Sequence, residues 1–212
     1  MSKRYKGNFL EKLASDPKYQ AMRRKKDAEH AARVAENLKD QAGLAQELRD
    51  AGVIVELNAI PGLEYSGPPR TISDLVNSRR GYREAIPILI EHLWKGHNRS
   101  ILKAIIRALT TEEAEGIAFE PLVKLYEETA DPDDELKWLI GGAIAEVATE
   151  ADVEQVIALA NDKRHGFGRA LLPFALRKWP REKALPILEQ WEHDPVLGEE
   201  ATKLAKRLRR RR

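Results

Sequence analysis

The sequence predicts an all-α fold: an α-solenoid of about four helix pairs, preceded by a long N-terminal helix and a linker rich in proline and glycine. The first observation is a short apolar phrase that returns at separations of 34, 34 and 31 residues, anchored on Pro87, Pro121, Gln155 and Pro186. The second is a two-residue register, mostly alanine followed by an aliphatic residue, that recurs at separations of 35, 32 and 32 residues from Ala108 through Ala143 and Ala175 to Arg207. Such a period is typical of stacked repeats, and two phrases that repeat together indicate two helices in each unit.

Residues 1–70 are predicted to be a basic N-terminal arm with a long helix. Asp16 and Pro17 form a helix start, because aspartate caps free amides and proline suits the first helical position. No proline follows before Gly52, a plausible terminator, so the helix is expected over about residues 17–50. Its apolar face is mostly alanine, and it is expected either to dock on the repeats or a partner, or to stay a solvated, charged helix.

The boundary between the arm and the repeats is predicted at the linker. Val53–Leu57 is compatible with a strand or with a buried turn, and the Pro/Gly-rich stretch Ile60–Arg70 is not expected to be regular. Thr71 then starts a short helix that caps the first repeat with the apolar residues Ile72, Leu75 and Val76. Residues 71–208 are predicted to be the solenoid, and residues 209–212 a basic tail.

Turns and prolines inside the repeats also follow a pattern. Capping residues are expected in three turns, Asn98–Ser100, Asp131–Glu135 and His193–Pro195. The prolines at 87, 121 and 186 are compatible with helix if they fall in or near the first turn or produce a kink.

The composition limits the possible function. The formal charge of +2 divides into +7 over residues 1–26, −3 over 27–80, −7 over 81–206 and +5 over 207–212. An acidic body with basic ends is suited to an anionic partner, although basic ends can also serve only as solubilising tails. The chain has no cysteine, which excludes disulfides, thiolate metal sites and cysteine nucleophiles. With no secretory signal and no long apolar run, a cytoplasmic protein is expected.

The phrase FEPLVKLYEETADPDDELKWLIGGAIAEV, from Phe119 to Val147, resembles a HEAT repeat. Over residues 82–208 the chain is similar to compact bacterial HEAT-like units, which are shorter than long HEAT and armadillo units. The resemblance implies a scaffold with no particular activity, and it implies that the second helix of each pair lines a concave face. It also implies that Lys137 and Arg169 occupy positions where such units carry contacts between repeats, so a structural role is expected for both.

Catalytic and metal-binding patterns are weak. The five histidines contain no pair spaced by four residues, and His92 and His193, each following a glutamate, are expected to make structural contacts. The glycines of His165–Arg169 lack the context of a nucleotide loop, and the acidic cluster Glu127–Glu135 lacks the glycine of a calcium loop. We therefore expect no enzyme, no metal, no cofactor and no small-molecule substrate.

The predicted binding residues are mainly basic. Arg99, Lys103 and Arg107 are spaced by four along one helical face. The tryptophans are expected mostly in the core, at positions 94, 138, 179 and 191, although the place of Trp138 after Lys137, near the start of its helix, is also compatible with partial exposure. The full set for a partner or nucleic acid is Lys3, Arg4, Lys6, Arg23, Arg24, Lys25, Lys26, Arg99, Lys103, Arg107, Trp138, Arg177, Arg209, Arg210, Arg211 and Arg212.

Two functions are carried forward from the sequence. The first is a non-enzymatic scaffold that holds a protein or ribonucleoprotein in a groove, with the basic ends as anchors. The alternative is direct RNA or DNA binding through the basic N- and C-terminal segments. A toxin-neutralising protein or a HEAT-like enzyme is also compatible with the pattern. No membrane association is expected.

Overall fold

The computed structural model describes residues 15–57, 69–78, 81–130 and 135–210, and within these residues the protein is all-helical with no strand. The predicted all-α class is thus confirmed. Val53–Leu57 is irregular, with Val55 buried. In this described part no helix is long and apolar enough to span a membrane. Most of the linker, Lys3, Arg4, Lys6, the turn at 131–134, Arg211 and Arg212 lie outside the described residues.

Contacts divide the chain into two compact units, residues 1–40 and residues 41–212. The first unit contains helix α1, Pro17–Asp40. Its predicted start is confirmed, because the amide of Lys18 donates to Asp16 Oδ1 over 2.8 Å. None of the α1 residues is buried, in keeping with its thin apolar face.

The helix expected over residues 17–50 is present as two helices, with a turn at Gln41 between them. Helix α2 spans Ala42–Asp50, and Gly52, with φ of 86°, follows its end as predicted. Gln41 is 2% exposed, and its Oε1 accepts a hydrogen bond from the Ile72 amide over 3.0 Å. The helix buries Leu44, Ala45 and Leu48 in the same core as the rest of the second unit. The last part of the predicted arm therefore belongs to that unit.

The second unit continues as pairs of helices. Its α-helices are α3 (Ala85–His92), α4 (Arg99–Leu109), α5 (Phe119–Glu128), α6 (Glu135–Val147), α7 (Val153–Asn161), α8 (Arg181–Trp191) and α9 (Gly198–Arg210). Its longer 3-10 helices are Ile72–Asn77, Lys163–Arg169 and Leu172–Lys178. Helices that follow one another in the chain pack in pairs: α3 with α4, α5 with α6, and α8 with α9. Helix α7 packs in the same way on the 3-10 helices Lys163–Arg169 and Leu172–Lys178. In each pair the earlier member is called the first helix and the later member the second.

Second helices also contact one another in chain order. Helix α4 packs on α6, α6 packs on Leu172–Lys178, and that segment packs on α9. Their small and aliphatic register residues are buried, which explains why the register recurs: Ala108, Leu109, Ala143, Ile144, Ala175, Leu176 and Leu208. Arg207, which occupies the alanine position of the last pair, is exposed.

Helix ends follow the expected capping chemistry. Asn98 Oδ1 accepts the amides of Ser100 and Ile101, and Asp194 Oδ1 accepts those of Val196 and Leu197. Thr71 and Asp74 form a capping box for the short helix after the linker. Ile72 and Leu75 of that helix are buried, but Val76 is exposed, because the 3-10 geometry turns it away from the face predicted for it.

Two of the three prolines sit where helices tolerate them. Pro87 and Pro121 are each the third residue of their helix, where an amide has no intrahelical partner. Pro186 lies in the interior of α8. Pro87 and Pro121 thus fall in the first turn, as predicted, whereas Pro186 lies beyond it in a continuous helix.

Gly141 of α6 and Gly168 of the 3-10 helix Lys163–Arg169 bring the two backbones close together. A Cβ placed on Gly141 would lie 2.4 Å from the carbonyl oxygen of Gly168, which is far inside ordinary contact. Gly166, with φ of 49°, turns the chain just before this contact. The HGFGR sequence is thus used for backbone packing.

Candidate functional site

A groove with a volume of about 600 Å³ lies across the second helices. Its floor is apolar and consists of Trp138, Leu139, Leu171, Phe174, Leu204 and Leu208. Its charged rim consists of Glu112, Glu146, Arg177 and Arg207. The volume is within the range of known ligand sites, and apolar floors with a few polar groups are typical of binding surfaces.

Helical spacing brings these side chains together. In α6, Trp138, Gly142 and Glu146 are spaced by four residues and therefore share one face. In α9, Leu204 and Leu208 do the same, with Arg207 beside them. Leu171 packs closely on the backbone at Gly142, where an added Cβ would lie 2.8 Å from Leu171 Cδ1. Contacts between α6, Leu172–Lys178 and α9 then assemble the floor.

The two arginines of the rim differ in their contacts. Arg177 forms an ion pair with Glu146 over 2.8 Å and donates to the carbonyl oxygens of Phe174 and Ala145. Arg207 is exposed and forms no ion pair with any described residue. Arg177 is therefore held in place by the fold, whereas the guanidinium of Arg207 is available to a bound molecule.

The basic residues predicted on α4 lie beside the groove. Lys103 forms an ion pair with Glu135 of α6, and this hydrogen bond lowers the pKa of the Glu135 carboxyl. Arg99 and Arg107 are exposed. None of the three lines the groove, although the end of α4 reaches it through Thr110.

The terminal basic residues predicted for binding are exposed where they are described. Arg23, Arg24, Lys25 and Lys26 lie on α1, with Lys25 Nζ 3.9 Å from Glu29 Oε1. Arg209 pairs with Glu189 and Glu192 over 2.7 and 3.5 Å, and the hydrogen bond to Glu189 raises its pKa. Arg210 is exposed at the end of α9. Ion pairing thus leaves Arg209 less available than the sequence suggests.

Lys137 and Arg169 have the structural roles expected of them. Lys137 Nζ donates to the Thr129 carbonyl over 2.6 Å, and Arg169 donates to the Ala160 carbonyl over 2.7 Å. Arg169, 3% exposed, also pairs with Asp194 of the next helix pair over 3.3 Å. Both cations are buried and satisfied within the chain.

The tryptophans are divided between core and surface. Trp191 is buried and donates to Asn161 Oδ1 over 2.9 Å, whereas Trp138 and Trp179 are partly exposed. The prediction that Trp94 lies in the core is wrong: it is 43% exposed. It follows the end of α3, where its indole donates to Glu128 over 2.8 Å and the ring lies at the surface.

The buried histidines make structural contacts. His92 Nε2 lies 3.0 Å from Glu47 Oε2, and His92 Nδ1 lies 2.7 Å from His97 Nε2. The ring of His165 packs on Tyr126, with centroids 4.6 Å apart. Burial lowers the pKa of both His92 and His165. Among the described residues, no group of three or more His, Asp or Glu side chains is placed to hold a metal ion.

Sequence reasoning missed most of the floor. It identified Trp138 and Arg177, but it selected basic residues on the second helices and passed over Phe174 and Leu204. Their spacing, from Leu171 to Phe174 and from Leu204 to Leu208, is a helical apolar pattern that would have marked them as a face. The pattern does not say whether such a face is covered by another helix or left open.

Comparison of the chain with protein-family models, with curated proteins and with solved structures gave no significant match. The chemistry of the groove is therefore derived from its own residues.

Proposed function

We propose that residues 71–208 form an α-solenoid of about four HEAT-like helix pairs and that the protein is a non-enzymatic scaffold. Its groove holds a macromolecular partner, either a protein or a ribonucleoprotein. The observation that carries this proposal is the apolar groove built by successive second helices.

Polar contacts between successive helix pairs support the stacked arrangement. Many of the contacts between distant residues join positions 30 to 34 residues apart, which is one period of the sequence: Tyr82 with Glu113, Trp94 with Glu128, Lys103 with Glu135, and Trp191 with Asn161. In a stack each unit contacts its neighbours, so equivalent positions meet at this spacing. Ion pairing of Arg177 with Glu146 follows the same rule.

The chemistry of the floor supports the binding of a macromolecule. Trp138 and Phe174 are partly exposed although both belong to helices whose other faces are in the core. Partly exposed aromatic residues beside an arginine are typical of the residues that contribute most to binding. Their burial under a partner would remove apolar area from water at about 25 cal/mol per Å².

Matched aromatic substitutions test this function. We expect affinity purification of the double variant Trp138→Ala/Phe174→Ala to lose the partners that the wild-type chain retains. The control Trp94→Ala/Phe167→Ala removes one Trp and one Phe that are 43% and 52% exposed and lie outside the groove. Equal retention by both variants, each shown by circular dichroism to be folded, would refute the scaffold proposal.

Direct nucleic-acid binding remains the second candidate, and the exposed run Arg23–Lys26 on α1 favours it. Neutralising several phosphates makes affinity fall linearly with salt on logarithmic axes. If this function holds, replacement of the four residues by glutamine reduces that slope for labelled oligouridine. A slope unchanged by the replacement argues against it.

A further inference from the structure

We infer that α1 binds a single strand of nucleic acid along one of its faces, through a stripe of hydrogen-bond donors. This inference rests on the nucleic-acid binding proposed as the second candidate function, and it names the side chains in contact and the class of nucleic acid. The donor stripe consists of six residues that follow one line along the helix: Tyr19, Arg23, Lys26, His30, Arg33 and Asn37.

Helical spacing places these six residues on one face. Each follows the previous one by three or four positions, and at 3.6 residues per turn they fall within an arc of about 80°. From Tyr19 to Asn37 the donor stripe runs about 27 Å along the helix axis, at 1.5 Å per residue. Small side chains occupy the opposite face, where Ala28, Ala32 and Ala35 lie. The two faces of α1 therefore differ in chemistry along most of its length.

The cations of the donor stripe are open to solvent. Arg23, Lys26 and Arg33 are exposed, and no residue of α1 is buried. Neither Arg23 nor Lys26 forms an ion pair with a described residue, whereas Lys25, which lies off the stripe, is 3.9 Å from Glu29. Arg33 Nη2 lies 3.2 Å from His30 Nδ1, which leaves the other guanidinium donors to a ligand.

The composition of the donor stripe suits phosphate. Arginine, lysine, asparagine and tyrosine side chains all donate hydrogen bonds to phosphate oxygens. The stripe contains no carboxylate and no aliphatic side chain, whereas the core of a protein–protein interface is largely apolar. Tyr19 is partly exposed at one end of the stripe, where its ring can stack on a base. These features favour a nucleic acid over an acidic protein.

Carboxylates on both sides of the donor stripe favour a single strand over a duplex. Asp27 lies about 80° to one side of the line of the stripe, and Glu29 and Glu36 lie about 80–100° to the other. A helix inserted into a duplex groove has phosphates along both of its sides, so these carboxylates would face them. A single strand that follows the stripe contacts the cations and leaves the carboxylates in water.

Salt titration of a face-specific variant tests this inference. Binding of labelled oligouridine to the whole chain is measured as a function of salt for the wild type and for Arg23→Gln/Lys26→Gln/Arg33→Gln. Each phosphate contact on a single strand contributes about 0.7 to the slope of log affinity against log salt, so loss of three contacts should reduce the slope by about 2. Glutamine is a good helix former, so α1 should keep its helical content in circular dichroism.

The same helix supplies a control with the same change of charge. Arg24→Gln/Lys25→Gln/Lys39→Gln also removes three cations from α1, but all three lie away from the donor stripe. We expect the control to reduce the slope by less than about 0.7, the contribution of one phosphate. Because the two variants have equal net charge, a difference between them reports the face that binds and not the overall charge of the helix.

Each contrary outcome overturns a different part of the reasoning. Equal reduction of the slope by the two variants would refute the donor stripe and leave nucleic-acid binding standing. Equally tight, stripe-dependent binding of oligouridine annealed to oligoadenine would refute the preference for a single strand. Displacement of oligouridine by poly-glutamate at equal charge concentration would assign the stripe to an acidic protein. Absence of any salt-dependent binding of oligouridine by the wild type would refute the second candidate function together with this inference.

Discussion

Replacement of Gly141 by alanine is expected to destabilise the protein, against the usual trend for a glycine within a helix. Gly141 is buried in α6, and an added Cβ would lie 2.4 Å from the carbonyl oxygen of Gly168, where ordinary contact begins at 3.4 Å. The obstacle is backbone, so no change of rotamer relieves it. Helix α6 and the segment Lys163–Arg169 must move apart, and this weakens the packing between two successive helix pairs.

The loss of stability expected for Gly141→Ala is the difference between two opposing contributions. Overpacking of a core typically costs about 1–3 kcal/mol, and occasionally more. Alanine is about 1 kcal/mol more favourable than glycine in a helix interior, which offsets part of that cost. Because the added Cβ meets backbone, we place the overpacking cost at the upper end of its range. We therefore expect the free energy of unfolding to fall by about 1–3 kcal/mol. For a protein of this size that corresponds to a melting temperature lower by roughly 2–12 °C.

Gly43→Ala is the matched control. Gly43 lies in α2 with no atom within 4 Å of an added Cβ, so alanine there should leave the protein unchanged or slightly more stable. Urea denaturation followed by circular dichroism gives the stability of each variant, and hydrogen exchange of α6 locates the effect. A Gly141→Ala variant as stable as Gly43→Ala would show that the close approach is not a feature of the native fold.

Three further predictions concern caps, buried charge and pH. Asn98→Ala removes the side-chain acceptor for the first amides of α4 and should cost about 1 kcal/mol in urea denaturation, whereas an unchanged midpoint would contradict the cap. Asp194→Asn keeps a capping oxygen but leaves the Arg169 guanidinium buried without its counterion. We expect the free energy of unfolding, measured by urea denaturation, to fall by about 3–5 kcal/mol. A fall of less than about 1 kcal/mol would contradict a stabilising Arg169–Asp194 ion pair. Burial lowers the pKa of His92 and His165 from 6.5, so below that pH the unfolded chain binds protons that the folded chain does not. The free energy of unfolding should therefore fall as the pH drops below 6.5 toward the lower folded pKa values; equal urea midpoints at about pH 7.5 and about pH 5.5 would contradict this.

Local chemistry explains which sequence predictions succeeded. The start of α1 at Asp16, the cap at Asn98 and the end of α2 at Gly52 each depend on residues a few positions apart, so the sequence contains all the partners involved. The structural roles of Lys137 and Arg169 were predicted from a resemblance of position, and their burial confirms them. The solenoid and its function stay predictions.

Long-range contacts explain where the structure differs from the predictions made from the sequence. The predicted long helix turns at Gln41, whose buried side chain accepts a hydrogen bond from the Ile72 amide, 31 residues away. Trp94 is at the surface because its indole reaches Glu128 in the next helix pair. In both cases the deciding partner lies about one period along the chain, and the sequence pattern gives no sign of which atoms meet.

The period and capping residues by themselves determined that this chain is helical and where several of its helices begin, among them those at Asp16 and Asn98, because helix formation depends on neighbours within one or two turns. Only the tertiary structure decided which apolar face stays open. Trp138 and Phe174 have the same spacing as core residues, and they line a groove because of how α6, Leu172–Lys178 and α9 pack together. Only that packing, too, leaves Arg207 beside the groove without an ion pair while Arg177 is held by Glu146. Burial and pairing are properties of distances between elements, and a linear sequence does not specify those distances until the elements have packed.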